Sequence, residues 1–117
     1  MARDVLVAFV AFEHIWFLLL EMFLWTKPIG LRTFHQTAER AEVTRTLAAN
    51  QGLYNGFLAA GLVWGLVAEP ATSPAILTFF LACVVVAGIF GAATVSRRIF
   101  FIQAMPAAFA LVLNVAA

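Results

Sequence analysis

The stretch VLVAFVAFEHIWFLLLEMFLW, residues 5–25, decides the class of this chain. It is 21 residues long and almost wholly apolar, and its three ionisable side chains are Glu13, His14 and Glu21. A helix rises about 1.5 Å per residue and the hydrocarbon core of a bilayer is about 30 Å thick. Such a segment spans the core with little to spare. It lacks a small-residue cleavage site ahead of a soluble domain and carries ionisable residues within its apolar run, so it reads as a retained span rather than a signal peptide.

Three more stretches of similar character follow, at Ala48–Val67, Ala75–Val95 and Ile99–Ala117. The expectation is an all-α fold: one integral membrane domain over 1–117, a four-transmembrane-helix bundle, multi-pass in the cell membrane (the bacterial inner membrane). Composition agrees. The chain is 64% hydrophobic and 11% charged, against about 25% charged in soluble domains. With a net charge of +1 and no dense basic face, a nucleic-acid partner is not expected. Cys83 is the single cysteine, so no internal disulfide is possible, and it reads as a small packing residue.

The polar segment Thr26–Leu47 separates the first two stretches. Pro28 and Gly30 are read as ending the first helix. Thr33 and Gln36 have capping-box spacing, and one helix is expected from about Thr37 to Val67. The turn at Glu69–Pro74 and the tight turn Ser96-Arg97-Arg98 join the later spans. Lys27, Arg32, Arg40, Arg45, Arg97 and Arg98 fall in the first and third connections, against Arg3 alone at the other ends. Positive loops stay in the cytoplasm, which places both termini on the outer side.

Polar residues inside apolar spans are expensive and are functional candidates. At about 100° per residue, His14 and Glu21 lie some 20° apart on one helix face, with Glu13 to the side. Span two opens with Asn50, Gln51, Tyr54 and Asn55. Gly52/Gly56 and Gly61/Gly65 are small-xxx-small pairs that allow close helix contact. Span four carries Gln103 and Asn114, with Pro106 between them freeing a carbonyl and introducing a kink. With the topology above, Glu21, Asn50, Gln51, Tyr54, Asn55 and Gln103 share the cytoplasmic third of the membrane. Arg45, Arg97 and Arg98 form its cationic rim, and Glu13 and His14 lie deeper.

This pattern suits a cytoplasm-facing polar pocket for an amphipathic or lipid-like ligand with a polar or anionic head. Glu21 and His14 are the candidate catalytic groups, while Glu13, Arg45, Asn50, Gln51, Tyr54, Asn55, Arg97, Arg98 and Gln103 are candidate ligand contacts. The same groups suit a small transporter or proton-linked carrier, and a structural membrane component is the third reading. No metal site is expected: His14 and Glu21 are about 10.5 Å apart along the axis, with no His pair or cysteine pair to help. No cofactor is indicated. The expected partners are membrane lipids and further copies of the chain in a homo-oligomer.

The run Glu21-Met22-Phe23-Leu24-Trp25, then Phe34, then the segment from Ala49 through Asn50-Gln51-Gly52-Leu53-Tyr54-Asn55-Gly56 to Ala59, resembles the bacterial four-span family known as domain of unknown function 1304. Gln103-Ala104-Met105-Pro106-Ala107 fits the same pattern. That resemblance covers nearly the whole chain and implies four helices without an assigned chemistry. A weaker similarity is to the MAPEG superfamily, the membrane-associated proteins of eicosanoid and glutathione metabolism. It rests on Arg45 through Gln51 and on Arg97, Arg98, Gln103 and Pro106. It implies outward termini, a cytoplasm-facing site and a homotrimer, and with them a MAPEG-like enzyme. The departures fall on the glutathione site. Gly52 stands where that superfamily has asparagine, Asn55 where it has an acid, and Phe100 and Phe101 stand near its fourth-helix tyrosine. Its third-helix arginine and tyrosine have no counterpart here.

Overall fold

The computed structural model describes residues 1–116. Ala117, the last residue of the expected fourth span, lies outside them. Among the described residues, seven α-helices run in the order α1 (Ala2–Met22), α2 (Pro28–Thr33), α3 (Ala38–Val43), α4 (Arg45–Val67), α5 (Ser73–Thr94), α6 (Arg97–Ile99) and α7 (Met105–Ala116). A π-helical turn, Phe100–Ala104, joins the last two. No strand occurs among the described residues.

Among the described residues, three helical stretches are long and apolar enough to cross a membrane: Ala2–Met22, Ser73–Thr94 and Arg97–Ala116. The protein is therefore an all-α membrane protein. Helix α4 has the length to cross, at 23 residues, but it is not one of the three. Asn50, Gln51, Asn55 and four glycines dilute its apolar character.

The chain folds as two compact units: Met1–Phe12 with the chain from Leu58 onward, and Glu13–Phe57. In the first, Val7, Val10 and Ala11 of α1, Leu62 of α4, Leu77, Leu81 and Val84 of α5, and Ala107 and Ala110 of α7 form a core that is essentially closed. The π turn lies close against α5. A Cβ added to Gly88 of α5 would sit 2.6 Å from the Cβ of Ala104.

The kink expected at Pro106 takes a specific form. Proline has no N–H, and its ring clashes with the carbonyl four residues back. The backbone widens just before it, so that the Met105 N–H donates to the Phe100 carbonyl. Such a π turn inside a helix is uncommon.

Polar groups tie one end of this unit. The Asn114 amide, 3% exposed, donates to the Pro74 carbonyl and to Thr78 Oγ1, both at 3.0 Å. Its oxygen accepts from Arg3 at 3.2 Å, and Arg3 also pairs with Asp4 at 2.7 Å. The buried Ser73 hydroxyl donates to the Gly65 carbonyl at 2.7 Å.

The second unit corrects several expectations about Thr26–Leu47. Helix α1 stops at Met22, and Pro28 opens α2 instead of closing α1. Proline suits a first helical turn because its missing N–H has no partner to lose there. Thr33 does not cap the following helix. It closes α2, with its hydroxyl donating to the Ile29 carbonyl at 2.7 Å.

The next helix is capped by Thr37, whose Oγ1 accepts from the Arg40 N–H. Between them His35 adopts a left-handed backbone, φ 52°. The Gln36 N–H then reaches back to the Leu31 carbonyl at 2.9 Å, the Schellman pattern normally closed by glycine.

The single helix expected over Thr37–Val67 is broken at Thr44. That hydroxyl donates to the Arg40 carbonyl at 2.8 Å and accepts the Trp25 indole N–H at 3.1 Å. The Trp25 ring also packs on Phe34, with centroids 4.9 Å apart.

Candidate functional site

The polar residues of the second unit are sorted by the contact between α1 and α4. Gly52 and Gly56 make that contact. A Cβ on Gly52 would lie 2.7 Å from Met22 Cγ and 3.1 Å from Glu21 Cβ, and one on Gly56 would lie 2.7 Å from Leu18 Cδ1. Two bare backbone positions one turn apart thus let α4 lie directly on the Leu18–Met22 turn of α1, as small-xxx-small pairs do.

Asn55 shares that face and is 5% exposed. Its Nδ2 donates to Glu21 Oε1 at 2.5 Å. A carboxylate and an amide are thereby joined across a helix contact that also holds Leu18, Met22, Gly52 and Gly56. Burying either group without a partner is costly, which is why the bond forms where the glycines bring the backbones together.

The other polar residues of α4 do not join this pair. Asn50, Gln51 and Tyr54 are exposed, Tyr54 by 53%. On the helix wheel they lie to one side of the face that carries Asn55 and Gly52. Tyr54 stacks edge-on with Phe57 at 5.9 Å. Arg45 is exposed and pairs with Glu42 at 3.3 Å.

On α1, His14 is fully buried and sits edge-on against Phe17, with centroids 5.2 Å apart. Glu13 is half-buried, and its Oε1 is enclosed without a hydrogen-bond partner. Glu13, Phe17 and Glu21 recur at i, i+4 and i+8 and are all half-buried. They make a stripe about 12 Å long on one side of α1. Phe17 was not among the sequence candidates, although its spacing between two acids in an apolar helix was the available signal.

The remaining candidates belong to the first unit. Arg97 and Arg98 are exposed on α6, where Ser96 Oγ accepts from the Arg98 N–H at 3.2 Å. Gln103 is half-buried in the π turn. Among the described residues, no group of three or more His, Cys, Asp or Glu side chains is placed to hold a metal ion.

A family model described as "protein of unknown function (DUF1304)" matches residues 8–115, which include every residue of the α1–α4 contact. The chain belongs to the DUF1304 family. A relative, the uncharacterized protein YpaA of Lactococcus lactis subsp. lactis (strain IL1403), is 28% identical over 110 residues, covering 92% of each chain. No solved structure matches. Within this DUF1304 protein the polar centre is therefore read from its own geometry: one amide-bound carboxylate, one carboxylate with an unpartnered oxygen, and a buried imidazole, all on one stretch of α1.

Proposed function

We propose that this protein crosses the membrane four times, with α4 as the second span, and uses the Glu21–Asn55 pair as the polar centre of a site for an amphipathic ligand. The observation that carries this reading is the hydrogen bond from Asn55 Nδ2 to Glu21 Oε1. It fixes a carboxylate inside an apolar helix pair, where an ionisable group is by default a functional candidate. The pair lies within a turn of Trp25, whose indole marks the interface level. A ligand enters from the side of the Thr26–Leu47 segment, and the lysine and arginine distribution puts that side in the cytoplasm with both termini outside. The exposed amides Asn50 and Gln51, which can each donate and accept, face a second copy of the chain in a homo-oligomer.

Native mass spectrometry of the full chain released from mild detergent tests the site. The wild type should carry a small amphipathic molecule, and Asn55→Leu and Glu21→Gln should lose it while keeping their helical content. Equal retention by all three proteins would leave the pair a packing device. A second reading, a proton-linked carrier, is favoured by the enclosed Glu13 oxygen beside the buried His14. Proteoliposomes holding a pH dye separate it from the first, since a ligand site alone moves no protons.

A further inference from the structure

We infer that the head group taken by the Glu21 site is cationic: the ligand is a lipophilic amine or ammonium ion, seated along the Glu13–Phe17–Glu21 stripe of α1. This rests on the ligand-site reading above and names its substrate class.

The charge inventory of the second unit points one way. Its helix pair holds two carboxylates, Glu13 and Glu21, and among the described residues neither has an ion pair. The unit's four lysine and arginine side chains, Lys27, Arg32, Arg40 and Arg45, are all exposed and all belong to the polar connection or the first turn of α4. Arg45, the one nearest α4's polar face, is paired with Glu42. The cationic rim expected to receive an anionic head therefore has no arginine or lysine inside the helix pair. An anion entering here would meet two acids in a low-dielectric setting, where like charges are weakly screened and costly to bury together.

A cation meets the opposite conditions. Glu13 has no ion pair among the described residues and its enclosed Oε1 has no donor, so its charge is uncompensated from within the protein and a cation on the stripe offsets it. Glu21 is held in place by Asn55, so its carboxylate is oriented before the ligand arrives. Phe17 lies one turn from each acid and is half-buried, and an aromatic ring at that position is a group that attracts a cation. The apolar body of the ligand would lie against the surrounding leucine and phenylalanine side chains. An inorganic cation fits less well, because no group of three or more His, Cys, Asp or Glu side chains converges among the described residues and such ions need several oxygen or nitrogen ligands at once. The stripe is long, half-exposed and aromatic at its centre, which suits an organic cation.

The test uses two ions of nearly identical size and shape but opposite charge, tetraphenylphosphonium and tetraphenylborate, with triphenylphosphine oxide as the uncharged control. Each is titrated by equilibrium dialysis against the full chain in mild detergent. Saturable tetraphenylphosphonium binding is expected, weakened at least tenfold by Glu21→Gln and several-fold by Glu13→Gln and Phe17→Leu. Circular dichroism of each variant should match the wild type. Tetraphenylborate should show only the non-saturable uptake of the detergent. If the borate or the oxide binds saturably and depends on Glu21, the ligand site stands and the cationic class is overturned. Phosphonium binding that is unmoved by both glutamine variants overturns the assignment to this stripe. No saturable binding of any probe, together with no ligand retained in native mass spectra, overturns both readings.

Discussion

A double-mutant cycle on Glu21 and Asn55 gives the sharpest test of the contact on which the site depends. Asn55→Leu removes the donor and leaves the half-buried Glu21 oxygen without its 2.5 Å partner. Leaving a buried polar group unsatisfied costs about 1–3 kcal/mol. Glu21→Met does the converse, stranding an amide that is 5% exposed, at a similar cost. The double variant strands neither group and places apolar atoms on both sides of the contact, so its cost should fall well below the sum.

Hydrogen bonds between membrane helices average about 0.6 kcal/mol and reach about 1.7, whereas bonds to charged groups in water-soluble proteins run about 1.5–3. The short distance, the carboxylate acceptor and the tight glycine contact place this pair at the top of the membrane range. The expected coupling is about 1–2 kcal/mol, read from reversible unfolding in mixed micelles followed by helical circular dichroism. Additivity of the two single variants to within about 0.5 kcal/mol, the ordinary scatter of uncoupled sites, would refute the contact.

Three further outcomes follow from the same geometry. Gly52→Leu places its Cβ alone 2.7 Å from Met22 Cγ, so α4 must move off α1; about 1–3 kcal/mol of stability should be lost, and Asn55→Leu should cost little more in that background. Asn114→Leu removes bonds to Pro74, Thr78 and Arg3 at once and should lower stability by about 2–3 kcal/mol, with no effect on ligand retention at Glu21. A reporter fused at the C-terminus should be active only outside the cytoplasm, in keeping with the lysine and arginine bias; activity only inside would invert the topology.

A contact from Glu21 to the Asn50–Asn55 segment was legible in the sequence, because a carboxylate in an apolar span needs a partner and span two offers amides at matching depth; which amide makes it was not. The companions of Asn55 were harder to sort. Grouping Asn50, Gln51, Tyr54 and Asn55 by depth puts them all in one pocket, yet a helix also assigns each residue an angle. The residues that reveal the angle are Gly52 and Gly56. A helix approaches its neighbour on its barest face, and the positions that share it are Ala48, Gly52, Asn55 and Ala59, all buried. Asn50, Gln51 and Tyr54 lie outside that set. The glycines had been read as packing residues, and that same reading already excluded three of the four polar side chains from the α1 contact.

The breaks in the polar connection were less legible because their causes are tertiary or sit on uncommon residues. Threonine is tolerated inside helices, so Thr44 gives no local warning of a break; the Trp25 indole, 19 residues away in sequence, helps to hold its hydroxyl in place. A left-handed helix end is normally announced by glycine, and here His35 fills the position. The Thr44 break bears on the site. Trp25 begins one turn after Glu21, so its bond to Thr44 ties the chain leaving α1 to the residue immediately before α4 begins. The two helices that carry Glu21 and Asn55 are thus clasped at their polar end by one side-chain bond and pressed together along Gly52 and Gly56. The carboxylate is consequently held between two fixed points, the fixation that the proposed binding role would require.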